Sequence, residues 1–178
     1  MLKSIFLAAD EVWRLRYSTL NSAENVITRN SISTSAEMST SGHSGNFVFA
    51  NGIGLGFSTT MTSGNLEEIS YKFKNSSLDL SYTIGRSFSL TLGTGKMING
   101  RGEIILDGEG YTTESVSGES IFLNLGIHFF GGEFLLGYRQ DNSKFKNYQC
   151  QMSGKSVILN EPVNLLSAQF NAGIGFLF

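Results

Sequence analysis

Residues 77–93 read SLDLSYTIGRSFSLTLG, and along almost the whole stretch every second residue is apolar. Leu78, Leu80, Tyr82 and Ile84 alternate with Ser77, Asp79, Ser81 and Thr83. After Gly85-Arg86-Ser87, Phe88, Leu90 and Leu92 alternate with Ser89, Thr91 and Gly93. Successive side chains of a strand point to opposite faces, so this alternation sorts into one wholly apolar and one wholly polar face. A helix would mix the two sets on every side. The stretch is a β-hairpin with a tight connection.

The same period recurs along the chain. In 120–140, Ile121, Leu123, Leu125, Ile127 and Phe129 oppose Asn124, Gly126 and His128. Gly131-Gly132 reads as the turn, and Phe134, Leu136 and Tyr138 then oppose Glu133, Gly137 and Arg139. Phe49, Ile53, Leu55 and Phe57 repeat the pattern in 46–60, and Trp13, Leu15 and Tyr17 alternate with Arg14 and Arg16. No helical periodicity of useful length competes. Eight strands fit best, at about 11–20, 24–36, 46–60, 66–84, 87–106, 111–130, 132–150 and 163–178. Connections at 85–87 and 131–132 are minimal, whereas those near 20–45, 95–113 and 141–164 are longer and polar. Ile69, Tyr71 and Phe73 are odd-numbered while the apolar set from Leu78 is even, which predicts a bulge or bend near Lys74–Ser77.

Alternation does not say which face is inside. A lipocalin-like soluble barrel has the same period with its apolar face inward. Charged residues make up only 16% of the chain, against about 25% in an ordinary globular domain. The polar face is Ser, Thr, Asn, Gln and Gly with few charges, unlike the Lys- and Glu-rich exterior of a soluble barrel. Mean hydropathy is −0.02, so the low charge does not come from long apolar blocks. The longest apolar run, IFLAA at 5–9, falls far short of the about 20 residues that a spanning helix needs. Tyr82, Phe88, Phe129 and Phe134 gather beside the tight turns, where a membrane barrel carries its aromatic girdle. Short turns at one end and long loops at the other also suit such a barrel.

The chain ends SAQFNAGIGFLF, with Phe170, Ala172, Ile174, Phe176 and Phe178 on one face. On this ending and the hairpins, the sequence resembles the small outer-membrane β-barrel proteins of Gram-negative bacteria, of the OmpA-transmembrane, OmpX and opacity-protein type. The resemblance implies a closed, all-β, up-and-down antiparallel transmembrane barrel in the bacterial outer membrane. It also implies that those five residues form a C-terminal signal read by the outer-membrane barrel assembly machinery. Its other partner would be the lipid bilayer itself. Residues 11–178 would form the barrel domain, and 1–10 (MLKSIFLAAD) a truncated export signal or lead-in.

Motifs for chemistry are weak. GTGKM at 93–97 lacks the first glycine and the final hydroxyl of a phosphate-binding loop, and GIGLG at 52–56 leads into no helix. His43 reads as a loop residue and His128 as a lumen residue; Asp107 and Glu109 could at most hold a cation weakly. Cys150, the single cysteine, permits no intrachain disulfide. A net charge of −2 argues against a nucleic-acid partner. No cofactor, metal or catalytic residue is expected. Arg14, Arg16, Asp79, Glu133 and Arg139 fall on the lumen face, where buried charges must pair. The expectation is a monomeric, non-enzymatic barrel plugged by these pairs, with its outer loops serving envelope integrity or surface interaction. The alternatives are a lipid-modifying outer-membrane enzyme and a soluble ligand-binding barrel.

Overall fold

The computed structural model describes residues 12–29, 32–35, 37–66, 69–85, 87–106, 108–152, 155–159 and 162–178. The expected export segment 1–10, Arg86 and Asp107 lie outside them. The strands are β1 (Arg14–Arg29), β2 (Ile32–Ser35), β3 (Glu37–Val48), β4 (Ile53–Leu66), β5 (Ile69–Ile84) and β6 (Phe88–Leu106). They continue as β7 (Glu109–Thr113), β8 (Ser115–Phe129), β9 (Gly132–Lys146), β10 (Tyr148–Met152), β11 (Lys155–Leu159) and β12 (Val163–Leu177).

The long strands run antiparallel in the ring β1-β3-β4-β5-β6-β8-β9-β12. β12 returns to β1, from Leu177 opposite Arg14 to Asn164 opposite Thr28, and closes an eight-stranded barrel. Trp13 and Phe178 exchange both backbone hydrogen bonds, at 3.0 and 3.1 Å. Closure leaves no edge of unpaired amides and carbonyls, which a bilayer interior could not hydrate.

The one-end turns are tight for specific reasons. Gly52, Gly85 and Gly131 have φ of 85°, 101° and 80°, a left-handed backbone that glycine adopts without steric cost. The turn expected at Gly131-Gly132 is instead Phe130-Gly131. Phe130 also has positive φ, at 36°, as the favoured two-residue hairpin turn demands, and Gly132 is already in β9.

The first strands also differ from expectation. Residues 46–60 are not one strand: Gly52 N–H donates to Phe49 O at 2.8 Å and turns the chain between β3 and β4. This turn leaves the odd-numbered apolar parity intact, so alternation runs through it unmarked. β1 reaches Arg29 and β3 begins at Glu37, displacing the strands expected at 11–20 and 24–36. The stretches read as long loops are largely strand. The β1–β2, β6–β7 and β10–β11 hairpins prolong the wall away from the tight turns.

β5 carries no bulge of its own: Tyr71, Phe73, Asn75, Ser77, Asp79, Ser81 and Thr83 all point inward. The ladder does shift register between Ser76 and Ser77, but the extra residue is Ile98 of β6, between Met97 opposite Ser77 and Asn99 opposite Ser76. What inverts at Lys74–Ser77 is the environment. Toward the turns the interior is polar and Leu78, Leu80 and Tyr82 face out; beyond Asn75 the interior is Tyr71 and Phe73 and the outside is Lys72 and Lys74. Ile27, Phe73, Ile104, Phe145, Tyr148 and Leu165 join this far-end core, with the Phe73 and Phe145 rings 4.7 Å apart. The barrel is inside-out at one end and built like a soluble protein at the other.

Candidate functional site

The lumen holds two charge clusters, each built by period two. Arg16 on β1 and Glu133 on β9 face inward and come together from opposite ends of the sequence. Arg16 Nε donates to Glu133 Oε2 at 2.7 Å and Nη2 to Oε1 at 2.8 Å. The remaining Arg16 N–H groups reach Thr83, Thr91 and Ser89 hydroxyls at 3.1, 2.6 and 3.1 Å, so all five donors of the guanidinium are used. Ser89 also donates to Glu133. Arg14 Nη1 lies 3.5 Å from Glu133 Oε1, and its Nη2 donates to Gly85 O at 2.9 Å. His128 Nε2 is 2.9 Å from the same carboxylate oxygen and 3.3 Å from Arg14 Nη1. Glu133 is completely buried.

The second cluster centres on Arg139 of β9. Its Nη1 donates to Asp79 Oδ2 and its Nε to Asp141 Oδ1, both at 2.8 Å. Nη2 lies within 2.7 Å of the Ser77 and Ser120 hydroxyls, and the Phe122 ring stacks 5.4 Å from the guanidinium carbon. Gln169 donates to the other Asp141 oxygen at 2.9 Å. A Cβ at Gly95 would collide with Asp79 and Ser120, and one at Gly93 with the Phe122 ring; glycine there makes room for large interior side chains. Above lies a neutral layer in which Thr40 bonds Asn25, Thr62 and Ser167.

Three arginines, Arg14, Arg16 and Arg139, thus meet three carboxylates, Glu133, Asp79 and Asp141. Asp141 stands two residues after Arg139 on β9 and therefore shares its face. An ion taken from water costs several kcal/mol even after relaxation, and only close pairing with full hydrogen bonding repays it. Eight strands leave an interior just wide enough for side chains, and these clusters with the far-end core occupy it.

The outer wall carries the other predicted set. Tyr82, Phe88, Phe129 and Phe134 are exposed beside the turns, and Phe129 stacks on Phe134 at 4.3 Å. Trp13, Phe47 and Phe49 pack edge to face nearby and extend the girdle. Phe170, Ala172, Ile174, Phe176 and Phe178 all face outward. His43 is not on a loop: it lies on β3, facing out, with Nδ1 2.6 Å from Tyr17 Oη.

No protein-family model and no curated protein matches the chain. Solved structures do. Neisserial surface protein A superposes with a TM-score of 0.59 at 12% identity, over 93% of this chain and 97% of that one. The chain has the fold of a small outer-membrane β-barrel. Ail, the attachment invasion locus protein of Yersinia pestis, gives 0.53 at 13% identity over 94% and 99% of the two chains. The outer-membrane protease OmpT from Escherichia coli gives 0.57 at 11% identity over 99% of each. The largely apolar outward face of the strands near the turns suits lipid rather than water. The fold is shared by a surface protein, an attachment–invasion protein and a protease, so it specifies no activity.

Proposed function

We propose that this protein is a sealed, non-enzymatic outer-membrane barrel whose far-end β-extension is its working surface, in envelope integrity or in contact with a surface or ligand. The observation that carries the reading is the lumen, where three arginines and three carboxylates are paired and buried beneath an apolar core. A conducting pore would need hydrated walls instead.

The enzymatic alternative finds little support in the placement of hydroxyls. Ser89 donates to Glu133 rather than facing His128 as a nucleophile would face its base. On the lipid side, Thr19 and Thr59, which flank His43 across the ladders, donate to the Ala172 and Asn75 carbonyls. His43 is oriented by Tyr17 with no hydroxyl from these neighbours presented to it.

Planar-bilayer recording tests the sealed lumen. The unmodified protein should show no steady, large unitary conductance, and Arg139→Ala should raise it slightly at most. Large, stable openings from the unmodified chain would replace this reading with a channel.

A further inference from the structure

We infer that the outer wall at β5–β6 holds a phosphorylated lipid of the surrounding leaflet, its headgroup on Lys74 and Arg101. These two residues are directly opposite in the ladder and both exposed. Like charges so placed destabilise a sheet unless an anion lies between them. Neither belongs to an ion pair among the described residues. Lys72 follows on the same face with Glu103 opposite, and Lys96 lies nearer the turns with Glu119 opposite. Glu114 lines one cavity with Arg101, and four cations against three carboxylates still leave this patch positive on a chain whose net charge is −2.

Depth selects the ligand. From Ile84 beside the turn to Lys74 is about ten residues, which at about 3.3 Å each and a tilt of about 40° climb about 25 Å, the height of a barrel's apolar belt. Lys74 and Arg101 therefore stand where the phosphates of one leaflet lie. Below them runs a groove of about 600 Å³ lined by Leu55, Leu78, Leu80, Thr94, Lys96 and Glu119. Its leucine floor suits an acyl chain, and Lys96 offers a further cation at its upper end. A free anion would use the cations alone; the leucines and the depth together point to a lipid.

The test uses the full chain in nanodiscs of phosphatidylcholine containing a minor fraction of phosphatidic acid, with bound lipid counted by native mass spectrometry. The unmodified barrel should retain phosphatidic acid. Lys74→Gln/Arg101→Gln should retain it at least about tenfold less, having lost charge-assisted contacts. Lys144→Gln/Lys146→Gln, on β9, should match the unmodified protein. Lys74→Glu, which gives Arg101 an opposite charge, should remain a folded, heat-modifiable barrel and lose the lipid. Leu80→Ala should weaken retention without altering any binding of inorganic phosphate. Equal retention by the unmodified barrel and the Lys74/Arg101 variants would overturn the site. So would displacement of the lipid by inorganic phosphate at equal concentration, which would mark an anion site indifferent to lipid.

Discussion

Arg139 is 2% exposed and bonded to both Asp79 and Asp141, so its loss strands two carboxylates in the lumen. Arg139→Ala should cost about 3–5 kcal/mol in urea unfolding from micelles, followed by the fluorescence of Trp13. Adding Asp79→Asn and Asp141→Asn should recover part of that loss, because it removes the unmatched charges; strictly additive losses would show that pairing is not what holds the cluster. The inward position of Arg14, Arg16, Asp79, Glu133 and Arg139 was legible from parity alone. That these arginines meet Asp79 or Glu133 was legible too; which meets which was not, because it depends on shear, which brings Arg16 to Glu133 across the β1–β12–β9 seam. Asp141 was equally legible by the same parity. Tyr148, in the extension beyond the belt, has its phenol pushed up from its ordinary value near 10, first by burial and then by Tyr71. The folded state keeps the neutral phenol where the unfolded chain ionises it, so its contribution is full below about pH 10 and fades as pH rises further. An ultraviolet titration should show a late-ionising component that Tyr148→Phe removes; no difference between the two curves would contradict that burial.

At the scale of the element, β5 holds one orientation along its whole length while its surroundings exchange polarity. The shift of apolar residues from odd to even positions is legible in sequence, but the same shift describes a bulged strand in one environment and a straight strand crossing two. Only the register of both neighbours distinguishes them: β4 pairs with β5 without interruption, and β6 contributes Ile98. Phe73 is the residue that separates the two pictures, since it is buried in the far-end core. Phe73→Ala should cost about 3–5 kcal/mol, as for a large core side chain, measured by the same unfolding assay. A loss below about 1 kcal/mol, ordinary for a surface site, would mean that the extension lacks a packed core. The turn at Phe49–Gly52 escaped sequence reading for a related reason, namely that it preserves parity.

For the whole molecule, the account rests on a barrel turned inside-out at the membrane and right side out beyond it. Closure, strand number and the apolar belt follow from period two together with the tight turns. The extent of the extension does not, because its Ser-, Asn- and charge-rich segments have the composition of loops while their backbones pair as hairpins. The most direct measurement is a spin-label scan of β5 from Ser70 to Ile84 in bilayers, with Cys150 replaced, comparing collisions with oxygen and with a water-soluble nickel chelate. Labels at 78, 80 and 82 should favour oxygen, labels at 72 and 74 the nickel chelate, and labels at 77, 79 and 81 should be poorly accessible to both. Nickel access at 78, 80 and 82 would contradict the outward apolar belt, and with it the transmembrane barrel.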